Sequence, residues 1–244
     1  MTARTAPTAW LDVLHATCVA VEELTAGARL DAAVPWCAGA DVAGTLCHVG
    51  VVHRLVRTWV AQGHRPSVVP VVPDDVDPRE WFAAGWPPLL DTLGALGPDA
   101  ETSTWCSYHT TASFWWRRML HETVIHAIDV LEAVGQTWPV PEEVAVDGVD
   151  EALRLWLGVA LGPAVGGSGQ VVRLVAPQRS WTVGLNDHNV EVNHLQIPAD
   201  ATAVAPAEVL YRWLWGRAAD DAVTVGGDAA AVAALRAALT RAMQ

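Results

Sequence analysis

The chain has 244 residues, enough for one large domain or two small ones, and 52% of them are hydrophobic against 17% charged. Its net charge of −12 comes without a basic stripe, which argues against nucleic acid as a partner. No run of about 18 uncharged apolar residues occurs, and the first eight residues lack the apolar stretch of a signal peptide, so we expect a cytoplasmic protein without membrane spans.

The first 135 residues predict four helices. Asp41 is a good N-cap and Gly63 a stop for the second helix, while Gly135 ends the fourth. A capping box with proline at the first helical position opens the third helix, which Pro87-Pro88 must kink or split. Residues 1–140 are therefore predicted to form an antiparallel four-helix bundle. The predicted spans are about Pro7–Arg29, Asp41–Gly63, Asp77 onward through Pro87-Pro88, and Thr111–Val134.

After residue 140 the pattern changes to that of a small α+β domain, residues 141–244. The glycine-rich run 162–169 lacks the lysine of a phosphate loop, so we interpret it as a flexible connection. Asn186 to Asn189 is typical of a hairpin turn. Helices are predicted over 148–161, 207–216 and 228–242, and strands over 171–175, 181–185, 190–192, near 202, and over 223–225.

A carboxylate and an imidazole share one face of the fourth predicted helix. Glu122 and His126 are four residues apart on a stripe that is otherwise apolar. A buried carboxylate must be paired or bind a metal, so this pair indicates a metal site that needs a third ligand. His121 lies about 140° around the helix from His126, so the pattern is not a zincin motif.

The third ligand cannot be chosen from spacing. The chain has nine histidines, and His48 lies in the middle of the second predicted helix among apolar residues. His53 is on the same helix but about 140° away from His48. A lone histidine on an apolar helix is more often a core residue than a ligand, so the pattern leaves this choice open.

Three segments together resemble the mycothiol-dependent maleylpyruvate isomerase family, which is related to the DinB-like metal-binding bundles. They are Asp41 to Arg54, Phe114 to Asp129, and Leu214-Trp-Gly-Arg217 followed by Val223 to Asp228. The third segment is similar to the family's second domain, which resembles sterol carrier proteins. The resemblance thus implies a two-domain α+β protein: a DinB-like four-helix bundle followed by a small sterol-carrier-like domain.

The resemblance also implies a metal site and a reaction. The family's metal ligands fall on His48, Glu122 and His126, a set that suits Zn²⁺ or another divalent metal with an open position. Mycothiol would be the thiol cofactor, used for cis–trans isomerisation of, or thiol transfer to, an electrophilic small molecule. Many relatives place Arg where this chain has Ala127, so the substrate is expected to differ from maleylpyruvate or to carry less charge.

Two further residues can be interpreted either as functional or as ordinary surface residues. Arg217 is predicted to be catalytic if its guanidinium grips a substrate carboxylate, and is otherwise a surface residue near a helix C-terminus. Asp129 is predicted either to orient a ligand imidazole or to be a solvated residue.

Two alternative functions remain open. The chain could be a non-catalytic small-molecule-binding module, or a metal-dependent biosynthetic enzyme of another reaction class. The metal content of the protein distinguishes the binding module from a metalloenzyme. Dependence on a thiol distinguishes the mycothiol-dependent enzyme from a metal-dependent enzyme of another reaction class. The sequence does not identify the substrate or the oligomeric state.

Overall fold

Helices form the first of the two units into which the chain divides, and helices with a sheet form the second. The computed structural model describes residues 7–161 and 164–243. The units are Met1–Pro139 and Val140–Gln244, and the sequence predicts a boundary after residue 140. The N-terminal residues 1–6, expected to carry no signal peptide, and Gly162-Pro163 of the predicted flexible connection lie outside the described residues.

From residue 7 onward, the part that the structure describes, the first unit contains five α-helices, because the third predicted helix is divided in two. Gly85 separates the halves, and the second half begins at Trp86 with the two prolines in its first turn, where their missing N–H groups cost little. The helices are α1 (Pro7–Thr25), α2 (Val42–Gln62), α3 (Pro78–Ala83), α4 (Trp86–Gly94) and α5 (Ala112–Ala133).

Local capping signals explain most of these helix ends. The Asp41 side chain accepts a hydrogen bond from the Gly44 N–H at the start of α2, and Gly63 ends this helix with φ of 73°. The Asp77 side chain accepts from Arg79 N–H at the start of α3. Gly135, with φ of 74°, follows α5.

The first helix ends at Thr25, earlier than predicted, and a residue from far along the chain contacts this end. The guanidinium of Arg79 donates a hydrogen bond of 2.9 Å to the Thr25 carbonyl and another to the Ala28 carbonyl. The Thr25 carbonyl also accepts a hydrogen bond of 3.0 Å from the Ala28 N–H, so the chain turns at this point.

The core of the first unit lies where α5 meets α1 and α2. Helix α5 contacts both α1 and α2, and α2 also contacts α3 and α4. Fully buried side chains from α1, α2 and α5 fill the interior; they include Leu14, Cys18, Leu46, Leu120 and Ile128. This packing brings the middle of α5 beside the first half of α2.

The second unit combines helices with one mixed five-stranded sheet. Its first helix starts at Glu142, earlier than predicted, after Pro141 and with two acidic residues in the first turn that favour the helix dipole. The elements are α6 (Glu142–Glu151), a π-helical segment (Ala152–Leu161), β1 (Gln170–Val175), β2 (Ser180–Leu185), β3 (Val190–Asn193), β4 (Ala201–Val204), α7 (Ala207–Leu214), a 3₁₀ turn (Asp220–Ala222), β5 (Thr224–Gly227) and α8 (Ala229–Ala242).

The strands are ordered β3-β2-β1-β4-β5. β1 pairs antiparallel with β2 and parallel with β4, and the outer pairs are antiparallel. Val172 and Leu174 of β1 are fully buried, and α8 contacts β1 and β4. The predicted two-part α+β architecture is therefore confirmed. Among the described residues, no helix is both long and apolar enough to cross a membrane.

Candidate metal centre

Helix α5 supplies two neighbouring donors. Glu122 and His126 are one helical turn apart, and Glu122 Oε1 lies 3.4 Å from His126 Nε2. Both side chains are largely buried, exposing 15% and 21%. The predicted pairing of these two residues on one face is observed.

Helix α2 supplies the third donor. His48 Nε2 lies 3.0 Å from Glu122 Oε1, although the two residues are 74 apart in the sequence. The rings of His48 and His126 meet edge to face with centroids 4.9 Å apart. One atom from each of the three side chains lies within 4.8 Å of the others. The structure thus brings together the three residues that the resemblance implied.

Asp129 orients the His126 ring. Its buried carboxylate lies 3.0 Å from His126 Nδ1, three residues back on the same helix. A carboxylate accepts rather than donates, so the proton of His126 is held on Nδ1 and Nε2 faces Glu122. Of the two interpretations of Asp129, the contact agrees with orientation of the imidazole; the residue is 1% exposed and not solvated.

Arg118 contacts the other side of the Glu122 carboxylate. Its guanidinium donates a 2.7 Å hydrogen bond to Glu122 Oε2. The sequence interpretation did not include this residue, although its spacing of four from Glu122 places both side chains on one face of α5. That spacing was the signal that could have identified it.

Electrostatics in this cluster favour an ionised carboxylate. Burial alone would raise the pKa of Glu122, but hydrogen bonds with His126 and His48 and the charge of Arg118 hold it well below its usual value. Burial also opposes charge on His126, yet the bonds to Asp129 and Glu122 outweigh it and raise its pKa to about 9. The Glu122 carboxylate is therefore ionised at neutral pH and can serve as a negatively charged metal ligand.

A further histidine lies near the cluster but is not part of it. His53 of α2 is fully buried, and its Nε2 lies 2.9 Å from Thr123 Oγ1. Burial lowers the pKa of His53 to about 4, so the ring is neutral. This is the core role expected for a histidine on the other face of α2.

The donor set fits a divalent metal. Ligands bound tetrahedrally at Zn²⁺ with bonds of about 2.0–2.1 Å are roughly 3.3 Å apart. The separations of Glu122 Oε1 from the two imidazole nitrogens, 3.0 and 3.4 Å, are close to that value. Two imidazoles and one carboxylate are also the ligand types of open, catalytic zinc sites.

The remaining predicted residue, Arg217, lies in the second unit. It follows α7 and Gly216, which has φ of 75°, and its guanidinium donates a 2.6 Å bond to the Trp215 carbonyl. Arg217 is half-buried. Ala127, at the position where an Arg was noted in relatives, is buried on α5 with 1% exposure.

Comparison with known proteins points to one family. A family model described as the mycothiol maleylpyruvate isomerase N-terminal domain matches residues 10–131. A crystal structure of a mycothiol-dependent maleylpyruvate isomerase aligns with a TM-score of 0.64 and 15% identity, covering 93% of this chain and 97% of its own. A histidine-to-alanine mutant of that isomerase aligns with a TM-score of 0.65, 14% identity and the same coverage. Among curated proteins none matches the chain.

Proposed function

The chain belongs to the mycothiol maleylpyruvate isomerase family, and from that premise we propose that it is a cytoplasmic, mycothiol-dependent metalloenzyme. The proposed ligands of Zn²⁺, or of another divalent metal, are His48, Glu122 and His126. The observation that supports this most directly is the meeting of these three donors from two helices within 4.8 Å. The proposed substrate is an electrophilic small molecule.

The side chains of the cluster have separate tasks in this proposal. Glu122 supplies the negative charge that attracts a cation, and Asp129 holds the Nδ1 proton of His126 so that Nε2 is directed at the same point, where a bound ion would take the place of the Nε2 proton. When bound, a divalent ion acts as a Lewis acid that lowers the pKa of a coordinated thiol, so that mycothiol can react as a thiolate.

Two reaction outcomes are compatible with a thiolate and an electrophile. Addition to a conjugated double bond, rotation about the resulting single bond and elimination give cis–trans isomerisation and return the thiol. Retention of the adduct, or displacement of a leaving group, gives thiol transfer. Isomerisation is the outcome that the names of the similar crystal structures carry, and we propose it first.

The proposed substrate is less anionic than maleylpyruvate or differs from it. The support is Ala127, a small apolar residue one position after His126, which provides no cation at this point. Arg217 is the proposed catalytic residue that holds a substrate carboxylate, because a guanidinium can form two parallel hydrogen bonds with one carboxylate.

Metal analysis combined with a thiol-dependence assay tests the proposal. Purified protein is expected to contain one divalent ion per chain, and His48→Ala and His126→Ala are expected to lose it while keeping their helix content. The apolar faces of the helices, rather than an ion, supply most of their burial. His188→Ala, an exposed histidine of the second unit, is the matched control.

The two alternatives give different results. Wild-type protein without a specific metal would support the non-catalytic binding module. Protein that binds metal but converts electrophilic substrates without a thiol would support a metal-dependent enzyme of another reaction class. Unfolding of the histidine variants at room temperature would show that the metal is structural.

A further inference from the structure

We propose that Arg118 is a positioning residue that holds the Glu122 carboxylate so that only Oε1 faces the metal position. This inference rests on the proposed metal site. The contact that carries it is the 2.7 Å hydrogen bond from the Arg118 guanidinium to Glu122 Oε2.

The burial of Arg118 shows that its charge needs a specific partner. Its side chain is only 4% exposed, whereas arginine is almost never buried unless it is paired. Glu122, one turn along the same helix, supplies a carboxylate that meets it. Because both side chains come from one rigid helix, the guanidinium has a fixed place beside the carboxylate.

The two oxygens of Glu122 have different surroundings. Oε1 lies near the Nε2 atoms of His48 and His126, at 3.0 and 3.4 Å. Oε2 accepts the hydrogen bond from Arg118. An ion that binds between the two imidazoles therefore meets one carboxylate oxygen, and the second is already engaged.

This division has a consequence for the reaction. A carboxylate that binds through one oxygen occupies one coordination position, so a position remains for a thiol. If Oε2 were released, the carboxylate could bind through both oxygens and occupy that position. Arg118 thus acts through Glu122 without touching a substrate or thiol.

Cobalt substitution of Arg118→Met tests the inference. Co²⁺ reports its coordination number through the intensity of its visible absorption bands, which weaken as ligands are added. We expect weaker bands in Arg118→Met, because a carboxylate that binds through both oxygens adds a ligand to the ion.

Arg57→Met is the matched control, because Arg57 is an exposed arginine of α2 and its loss is expected to leave the spectrum unchanged. A wild-type spectrum in Arg118→Met overturns the inference but leaves the proposed metal site standing. Failure of the wild-type chain to bind Co²⁺ or Zn²⁺ overturns both.

A second variant keeps the test decisive if Arg118→Met does not fold, as judged by circular dichroism. Arg118→Lys retains the charge but lacks the planar set of donors of a guanidinium, so its Co²⁺ spectrum is also expected to differ from wild type. A Lys variant with the wild-type spectrum then overturns the inference.

Discussion

Asp129 is the residue whose replacement tests the orientation of His126 most directly. Asp129→Asn keeps the size of the side chain but replaces an acceptor-only carboxylate with an amide, so His126 is no longer held in one tautomer. We expect the affinity for Zn²⁺ to fall by roughly 10- to 100-fold, measured by chelator competition. Asp91→Asn, an exposed site on α4, is the control, and equal affinities in the two variants would contradict the role assigned to Asp129.

His53 gives the protein a pH-dependent stability that is separate from metal binding. Burial lowers its pKa from 6.5 to about 4, so between these pH values the unfolded chain binds a proton that the folded protein excludes. The free energy of unfolding therefore falls as the pH drops from about 6.5 to 4, by on the order of 3 kcal/mol. Urea unfolding with a chelator present, compared across this range, measures the fall.

His53→Gln isolates that contribution. The glutamine amide nitrogen can occupy the place of Nε2 beside Thr123 Oγ1 but does not titrate. We expect the variant to lose less stability than wild type between pH 6.5 and 4.5, while His64→Gln, at an exposed site, behaves as wild type. The same pH slope in all three proteins would show that His53 does not account for it.

At the scale of elements, the N-cap of α2 can be tested because this helix carries His48. Asp41→Ala removes the oxygen that accepts from the Gly44 N–H at 2.7 Å, and the expected cost is about 1 kcal/mol of unfolding free energy. Asp41→Asn keeps a capping oxygen and is expected to cost less. Urea unfolding of the three proteins makes the comparison, and equal losses in both variants would indicate that the cap itself contributes little.

Helix ends could be predicted from the sequence where the signal is local. The Asp41 cap, the Gly63 stop and the proline pair at 87–88 act within a few residues of the boundary they set. The contact of Arg79 with the end of α1 could not be predicted, because the two positions are more than fifty residues apart in the chain.

The candidate site shows the same division. Glu122 and His126 could be paired from their spacing, since one helix fixes their distance. His48 comes from another helix, and no rule of periodicity relates positions separated by 74 residues. Only the family resemblance could choose it from nine histidines. Arg118 could have been found by the same spacing rule as His126. An arginine four residues from a glutamate is usually a surface ion pair, however, so the spacing does not by itself indicate a site.

At the scale of the whole molecule, the proposed ligands all lie in the first unit and Arg217 lies in the second. If Arg217 holds a substrate carboxylate, Arg217→Lys should lower kcat/KM by roughly tenfold or more, because a point charge cannot replace a bidentate fork. Metal content should be unchanged. Steady-state kinetics and elemental analysis of the same preparation measure both, with Arg179→Lys, a second arginine of that unit, as control. Wild-type kinetics in Arg217→Lys would leave Arg217 without a catalytic role.

The unequal exposure of the three proposed ligands bears on how an ion would enter and leave. Glu122 and His126 expose 15% and 21% of their side chains and stand on one helix, whereas His48 exposes 53%. His48 would therefore be the ligand that solvent reaches most readily, although its Nε2 already lies 3.0 Å from Glu122 Oε1. The exposed imidazole of His48, which is the least constrained of the three side chains, would then set how easily solvent and ions reach the site.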